Sequence, residues 1–480
     1  MGDSRDLEGR QVAVKKLVGS LKEAIKLCGL EDGMTVSFHH HLRNGDYVLN
    51  MVMDTIAELG YKEIKVAASA VFPVHEPLIN HIKQGVVTQI DTNYMSGPVG
   101  EAISRGLMSN PVVFRTHGGR PRAIETGELP IDVAFIAAPS SDCYGNINGV
   151  DGPSACGSLG YAFPDAMHAE KVVVITDNLV NYPLTPISID QTRVDYVVVV
   201  DSIGDPKGIV SGSTRITRDP VGLTIARYAA EVIEHSGLLN DGFSFQTGAG
   251  GASLAAAYYL KKFMKEKGIT GSFGLGGITG YFVELLEEGL FKTLLDVQCF
   301  DLDAVRSIKA NPNHQEISAS FYANPESKGC AVDKLDIVIL GATEIDTSFN
   351  VNVHTDSNGI IMGGSGGHSD TAAGSKLALI VAPLIRARLP VLVDRVLTIT
   401  TPGDTVDVLV TERGISVNPK NEGLRERLTE AGLPVVDIHE LKKKAEALTG
   451  KPNPIKTGGK VVAHVEYRDG RIIDTIKNTE

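Results

Sequence analysis

The chain has few cysteines and no paired-cysteine pattern. Cys28, Cys143, Cys156, Cys299 and Cys330 are odd in number, widely spaced and form no C-x-x-C. A zinc ribbon or a disulfide framework is therefore excluded, and buried free thiols in a reducing compartment are the plain reading. The first thirty residues hold no apolar run of the signal-peptide kind, and no later stretch is long enough to span a bilayer. A cytoplasmic protein without a membrane partner is expected. Positive charge is in deficit, with a net charge of −12. Nucleic acid is thus not expected as a partner, because phosphate binding needs clustered Lys and Arg. A local basic pocket for an anionic substrate stays compatible with that balance. H-E-x-x-H is absent, and no G-x-G-x-x-G is followed by a suitably placed acidic residue. Neither a zinc protease nor a dinucleotide fold is supported.

At 480 residues the chain exceeds the size at which one core keeps growing, so two domains are expected. Hydrophobic content of 42% and charged content of 22% are those of an ordinary globular protein. Short β-branched runs recur at Val133–Ala138, Lys171–Thr176, Tyr196–Asp201, Asp336–Leu340, Leu377–Val381 and Val406–Thr411. They are apolar at consecutive positions, which suits strands of a parallel sheet buried on both faces. Helical patterns lie between them, at Leu17–Cys28, Leu223–His235, Ala255–Lys265 and Leu424–Ala431. The alternation reads as α/β with mostly parallel sheets.

The two halves resemble each other. Leu30-Glu31-Asp32-Gly33, a strand and the loop His39–Gly45 are matched by Leu239-Asn240-Asp241-Gly242, a strand and Thr247–Gly251, at an offset of 209 from Gly33 to Gly242. Asp132–Ile136 leading to Asn146 is matched by Asp336–Leu340 leading to Asn350, at an offset of 204. Two such close offsets indicate duplication. The expected units are 1–217 and 218–480, with the boundary near Arg215–Pro220, where Asp219 caps a helix whose first residue is Pro220. Two like domains facing each other would place their loops around a shared cleft.

Gly363-Gly364-Ser365-Gly366-Gly367-His368-Ser369-Asp370 is the strongest local signal. Glycines let backbone N–H groups approach a thioester oxygen or a phosphate; the bland alternative is an ordinary loop. The same stretch matches G-x-S-x-G, with Ser365 as a would-be hydrolase nucleophile and Asp394 or Asp407 and His439 or His464 as partners, though the flanking glycines fit an anion cradle better. Gln246–Ala252 and Ser272–Gly280 are further glycine loops. His39-His40-His41 cannot ligate one metal ion, because adjacent residues of an extended segment face opposite ways. A substrate-facing loop, with Arg43 available to a carboxylate, competes there with solvated side chains. Glu344, after a buried-type strand, reads equally as a nucleophile or base and as a cap of a neighbouring turn.

Taken in order, these pieces resemble the CoA-transferase superfamily and within it the citrate lyase α-subunit family. The likeness covers nearly the whole chain. It rests on Ser37–Asp46, Gly157–Ala166, Gly250–Leu254, Phe273–Gly280, Gly363–Asp370 and Val408–Ile415.

The resemblance implies two tandem, structurally similar CoA-transferase-like domains with the active site between them. It implies that an acetyl thioester and citrate give a citryl thioester and acetate. The thiol would belong to a phosphoribosyl-dephospho-CoA arm on an acyl-carrier (γ) subunit, with acetyl-CoA as surrogate, and a β subunit would cleave the citryl group. The assembly would be an oligomer, and the chain itself would bind no cofactor and no metal. Relatives that form a glutamyl thioester carry their Glu in a segment like Phe273–Tyr281, and here that segment has no carboxylate. A ternary-complex mechanism through a mixed anhydride is therefore expected. The expected catalytic groups are the amides of Gly276, Gly277, Gly366 and Gly367, with Glu344 as the candidate for a covalent route. The arm is expected at Gly248, Ala249, Gly250, Gly251, Gly364, Ser365 and His368. Citrate is expected at His39, His40, Arg43 and Asn146. The rival readings are citramalate transfer, an acetyl-CoA hydrolase or covalent transferase using Glu344, and a serine hydrolase using Ser365.

Overall fold

The computed structural model describes residues 15–210, 216–248, 250–453 and 455–479. Two large sheets carry the fold. In the first the spatial order runs Tyr196–Val199, Lys171–Thr176, Val133–Ala138, Thr35–Phe38, Ile64–Ala68, Val87–Thr92, Val112–Phe114. In the second it runs Val408–Thr411, Leu377–Val381, Ile337–Gly341, Phe245–Thr247, Gly271–Ile278, Phe291–Cys299, His314–Glu316. The order is the same in both, and neighbours pair in parallel throughout these runs. This is the α/β architecture that the apolar runs predict, with helices covering strands buried on both faces.

The likeness extends to single hydrogen bonds. Asp142 accepts from the N–H groups of Tyr144 and Asn146 and from the Asn146 side chain. Asp346 accepts from Ser348 N, Asn350 N and the Asn350 side chain in the same pattern. The Thr35 N–H donates to Asp132 at 2.7 Å, and the Ser244 N–H donates to Asp336 at 2.8 Å. Each carboxylate satisfies backbone donors that a loop would otherwise leave buried and unpaired.

Two local expectations change. The helix predicted over Leu17–Cys28 is shorter: Leu17–Val18 is a strand paired with Val197–Val198, and the helix spans Leu21–Leu27. Ser20 is the cause, because its hydroxyl accepts the Glu23 N–H and so starts the helix there. The helix Pro220–His235 begins as expected, with Asp219 accepting the Gly222 N–H; Arg215, at the expected boundary, lies outside the described residues. The hairpin Thr457–Glu466 and Ile472–Thr479 adds to the first sheet through Ala463–Val465 against Val112–Phe114. The last strands of the chain therefore share a sheet with the first half.

The halves meet closely along Gly157–Tyr161. The Ser158 hydroxyl donates to Asp296 O at 2.8 Å, and the Ala319 N–H donates to Gly160 O at 2.8 Å. A methyl group on Gly160 would lie 2.4 Å from Val297 O and 2.6 Å from Ile317 O. Backbone on both sides cannot yield as a side chain could. Gly160→Ala is expected to destabilise the fold by about 3 kcal/mol or more through overpacking, read as a lower urea midpoint at unchanged m-value.

Candidate active site between the two halves

His39 and His40 follow the carboxyl end of the central strand Thr35–Phe38 and His41 opens a turn, with His39 and His41 stacked on each other and His40 stacked instead on Tyr161 and His117. The rings of His39 and His41 stack at 5.7 Å, and His39 Nε2 sits 3.0 Å from Asp165. Asp165 is buried and forms a two-pronged ion pair with Arg120, 2.7 Å on each prong. Burial alone would raise its carboxyl, but Arg120 and His39 outweigh that and hold it well below the usual range. His40 faces the other way, stacked on Tyr161 at 4.6 Å and His117 at 5.7 Å.

Arg43 follows in the left-handed region, φ 53°, a conformation that costs a non-glycine residue about 1 kcal/mol or more and persists only where its surroundings enforce it. Its guanidinium lies between Phe72 of the first half, at 5.6 Å, and Phe300 of the second, at 4.8 Å. No carboxylate pairs with it among the described residues, and Nη1 is buried without a hydrogen-bond partner. Burial lowers its basicity, while Tyr94 and Tyr161 oppose the shift. His40, Arg43, Phe72, Tyr94, His117, Gln298, Phe300 and Gly366 line a cavity of about 120 Å³. That is below the several hundred Å³ of an ordinary ligand pocket, which suits a small anion. Gln298 ties the halves together by donating to His40 O at 2.8 Å.

The glycine loop reaches this cavity in an unexpected way. It runs along the first half as a strand would: Met95 N donates to Gly363 O, Gly366 N to Asn93 O at 3.2 Å, and His117 N to Gly366 O at 2.8 Å. The Gly366 N–H, expected as an oxyanion donor, is thus already committed to Asn93. A methyl on Gly364 would lie 2.2 Å from Asn93 O, and one on Gly367 2.4 Å from the Tyr322 hydroxyl. Close backbone approach explains these glycines. Beyond them Asp370 accepts from Thr116 Oγ1 at 2.8 Å and Gly118 N at 2.9 Å, gripping the loop on both sides of His117. Burial pushes its carboxyl up to about 6.

Other expected site residues are not among those lining this cavity. Gly276 and Gly277 end the strand Gly271–Ile278 at a bulge; side chains there would strike Gln246 and the Phe300 ring, at 2.8 and 2.2 Å. Gly250 and Gly251 begin the helix Gly251–Lys267 and line a separate groove of about 310 Å³ with Gly341 and Arg386. The Gly248 N–H is used by Ile339 O, and Ala249 lies outside the described residues. His368 has both ring nitrogens engaged, by Thr401 Oγ1 at 2.7 Å and Gly341 O at 2.8 Å. Asn146 is held by Asp142 and Gln191, and is not among the residues lining the cavity. Glu344 accepts from Asn352 Nδ2 and Leu397 N in a small side sheet and lines a different cavity. Ser365 donates to Ser369, while Asp394 pairs with Lys442 and Lys451 and Asp407 with Lys420, so no Ser-His-Asp chain forms. The residues that sequence reading missed are Phe72, Tyr94, His117, Tyr161, Gln298 and Phe300. Only Thr116-His117-Gly118-Gly119, a histidine beside paired glycines after a strand, carried a usable signal.

Burial holds His40, His41 and His117 neutral. It lowers His117 and His41 to about 3, and burial with His117 and Arg43 nearby pushes His40 well below its ordinary value. In the unfolded chain these rings take up protons near pH 6.5, so unfolding binds protons between there and the folded values, and stability falls as pH falls through that window. His41 and His117 should each weaken the fold by about 2 kcal/mol between pH 8 and pH 5. Calorimetry in two buffers of different ionisation enthalpy should detect proton uptake on unfolding at pH 5.5.

The comparisons with known proteins agree with one another. The family "Citrate lyase, alpha subunit" matches residues 14–479. The citrate lyase alpha chain of Klebsiella pneumoniae is 54% identical over 466 residues, covering 97% of this chain and 92% of that one. The alpha chain of Escherichia coli (strain K12) is 54% identical over 462 residues, 96% and 91% of the two chains. A crystal structure of the citrate lyase α subunit from Streptococcus mutans, in complex with citrate, superposes at a TM-score of 0.96 with 54% identity, covering 99% and 94%. A Pseudomonas malonate decarboxylase hetero-tetramer, at 16% identity, TM-score 0.67 and coverage of 92% and 89%, shares the fold alone. Matched along nearly its whole length, the chain belongs to the citrate lyase α-subunit family and is with it an enzyme of the transferase class.

Proposed function

We propose that the chain is a citrate CoA-transferase, exchanging the acetyl group of an acetyl thioester for citryl and releasing acetate. The observation that carries this reading is Arg43, a buried cation without a protein carboxylate, set in a small cavity between the halves. A guanidinium so placed is satisfied by a carboxylate from outside. The relative from Streptococcus mutans, solved with citrate, supports citrate as that acid. In this reading 1–217 and 218–480 are the two units of one transferase, with the C-terminal hairpin returning to the first.

A citrate carboxylate held at Arg43 attacks the acetyl thioester carbonyl, expelling thiolate and leaving an acetyl–citryl anhydride. The thiolate then attacks the citryl carbonyl and acetate leaves. No enzyme carboxylate takes part: Phe273–Tyr281 contains none, and Glu344 is spent on Asn352 and Leu397. Holding both reactants in contact supplies roughly 7–11 kcal/mol. The thioester arm, a phosphoribosyl-dephospho-CoA group on a γ carrier subunit, is assigned to the groove at Gly250 and Gly251, where Arg386 and the start of a long helix favour negative charge. A β subunit would then cleave the citryl product.

Acetate release from acetyl-CoA by the purified chain should depend on citrate, exceed that with citramalate or water, and leave the protein mass unchanged. Citrate-independent release, or a hydroxylamine-sensitive CoA adduct, would overturn this mechanism. Arg43→Ala should lower kcat/KM for citrate by about 2–5 kcal/mol equivalent, or at least thirtyfold, with thermal stability maintained.

A further inference from the structure

We propose that Ser69 fixes the tautomer of His40, so that the ring presents an Nε2–H donor to the cavity and serves there as a hydrogen bond to a substrate oxygen. The proposal rests on the reading of this cavity as the acid-binding site, but its central claim concerns the resting protein.

Ser69 directly follows the strand Ile64–Ala68 and is fully buried. Its hydroxyl oxygen accepts the backbone N–H of His40 at 3.1 Å and lies 2.6 Å from His40 Nδ1. A hydroxyl has one proton to give. Among the described residues Ser69 Oγ makes no hydrogen bond besides these two, so its proton is assigned to Nδ1, which must be bare to receive it. A neutral imidazole with a bare Nδ1 carries its proton on Nε2. Protonating both nitrogens would turn Nδ1–H toward the hydroxyl and place a second cation beside Arg43 in a buried site, and burial, His117 and Arg43 all oppose it.

The ring is packed on three sides, and the orientation that keeps Nδ1 on Ser69 is the one its hydrogen bond favours. Tyr161 stacks on it at 4.6 Å, His117 at 5.7 Å and Phe72 packs at 6.2 Å. His40 lines the cavity with Arg43 and Gln298. With Nδ1 tied to Ser69, the remaining polar atom of the ring is Nε2. As an N–H it cannot abstract a proton, so His40 polarises a carbonyl or anchors a carboxylate rather than acting as a base. Ser69 is then a positioning residue, acting through His40 without touching substrate.

The test is nitrogen NMR of the ¹⁵N-histidine-labelled full chain, with His40 assigned by difference from His40→Gln, together with kinetics of Ser69→Ala and Ser69→Thr. In the wild type, His40 should show a bare Nδ1 and a protonated Nε2 from pH 6 to 8, without substrate. Ser69→Ala should mix the tautomers and slow citrate-dependent acetate release about tenfold or more, the order of weakening one aligned donor, and Ser69→Thr should restore both. An Nδ1–H tautomer or an imidazolium in the wild type would overturn the proposal, as would a Ser69→Ala chain with unchanged tautomer and rate. Because the spectrum needs no substrate, the expected tautomer in a chain that fails to use citrate would reject the transferase reading and leave the tautomer assignment standing.

Discussion

Backbone from the second half lies directly on backbone from the first, and the cavity exists only because of it. The run Ile361–Gly367 is hydrogen-bonded to Asn93, Met95, Ser104 and His117 as an added strand would be. A side chain cannot be accommodated at Gly364, where a methyl would approach Asn93 O of the first half to 2.2 Å. On the far side, Gly160 meets Val297 and Ile317 with the same closeness. These contacts place His117, from one half, and Gln298 and Phe300, from the other, around a common space. Asp370 adds a charged grip on the His117 loop from the second half.

Electrostatics then divide the interior into satisfied and unsatisfied charge. Arg120 has Asp165, and Arg115 has Asp91, Glu128 and Glu466, the last of these from the returning hairpin. Such pairs contribute little net stability, since desolvation offsets attraction, but breaking one leaves a costly lone charge. They fix relative position instead. Among the described residues Arg43 is the exception, buried between two aromatic rings with no acid of its own. Burial keeps His40 and His117 neutral, so they add hydrogen-bonding capacity without repelling a guanidinium. A site of this composition is suited to holding and polarising, consistent with a proposed mechanism in which the two substrates supply both nucleophile and leaving group.

The pattern of glycines illustrates how one residue type serves two ends. At Gly250 and Gly251 they open a groove at a helix start, where backbone is available to a ligand. At Gly364 and Gly366 the missing side chains make room for Asn93 and His117 of the first half, and at Gly363 and Gly367 for Val353 and Tyr322 of the second. Sequence alone cannot separate these cases, because both require backbone approached closely and only the neighbour differs.

What the sequence by itself determined was local or repeated. Consecutive apolar residues marked Val133–Ala138, Lys171–Thr176 and Leu377–Val381 to the residue, because strands buried on both faces leave no polar alternation. The offsets near 204 and 209 announced two like halves, since duplicated carboxylate clamps at Asp142 and Asp346 keep duplicated motifs. His40 and Arg43 were legible as a polar loop after a strand. Tertiary structure alone decided that Tyr94, His117, Tyr161, Gln298 and Phe300 join them, that Asn146 and Glu344 serve as internal clasps, and that the final hairpin returns to the first sheet. Those outcomes depend on contacts between residues up to several hundred positions apart, and such contacts are set by how two packed surfaces meet, which no local periodicity or composition encodes.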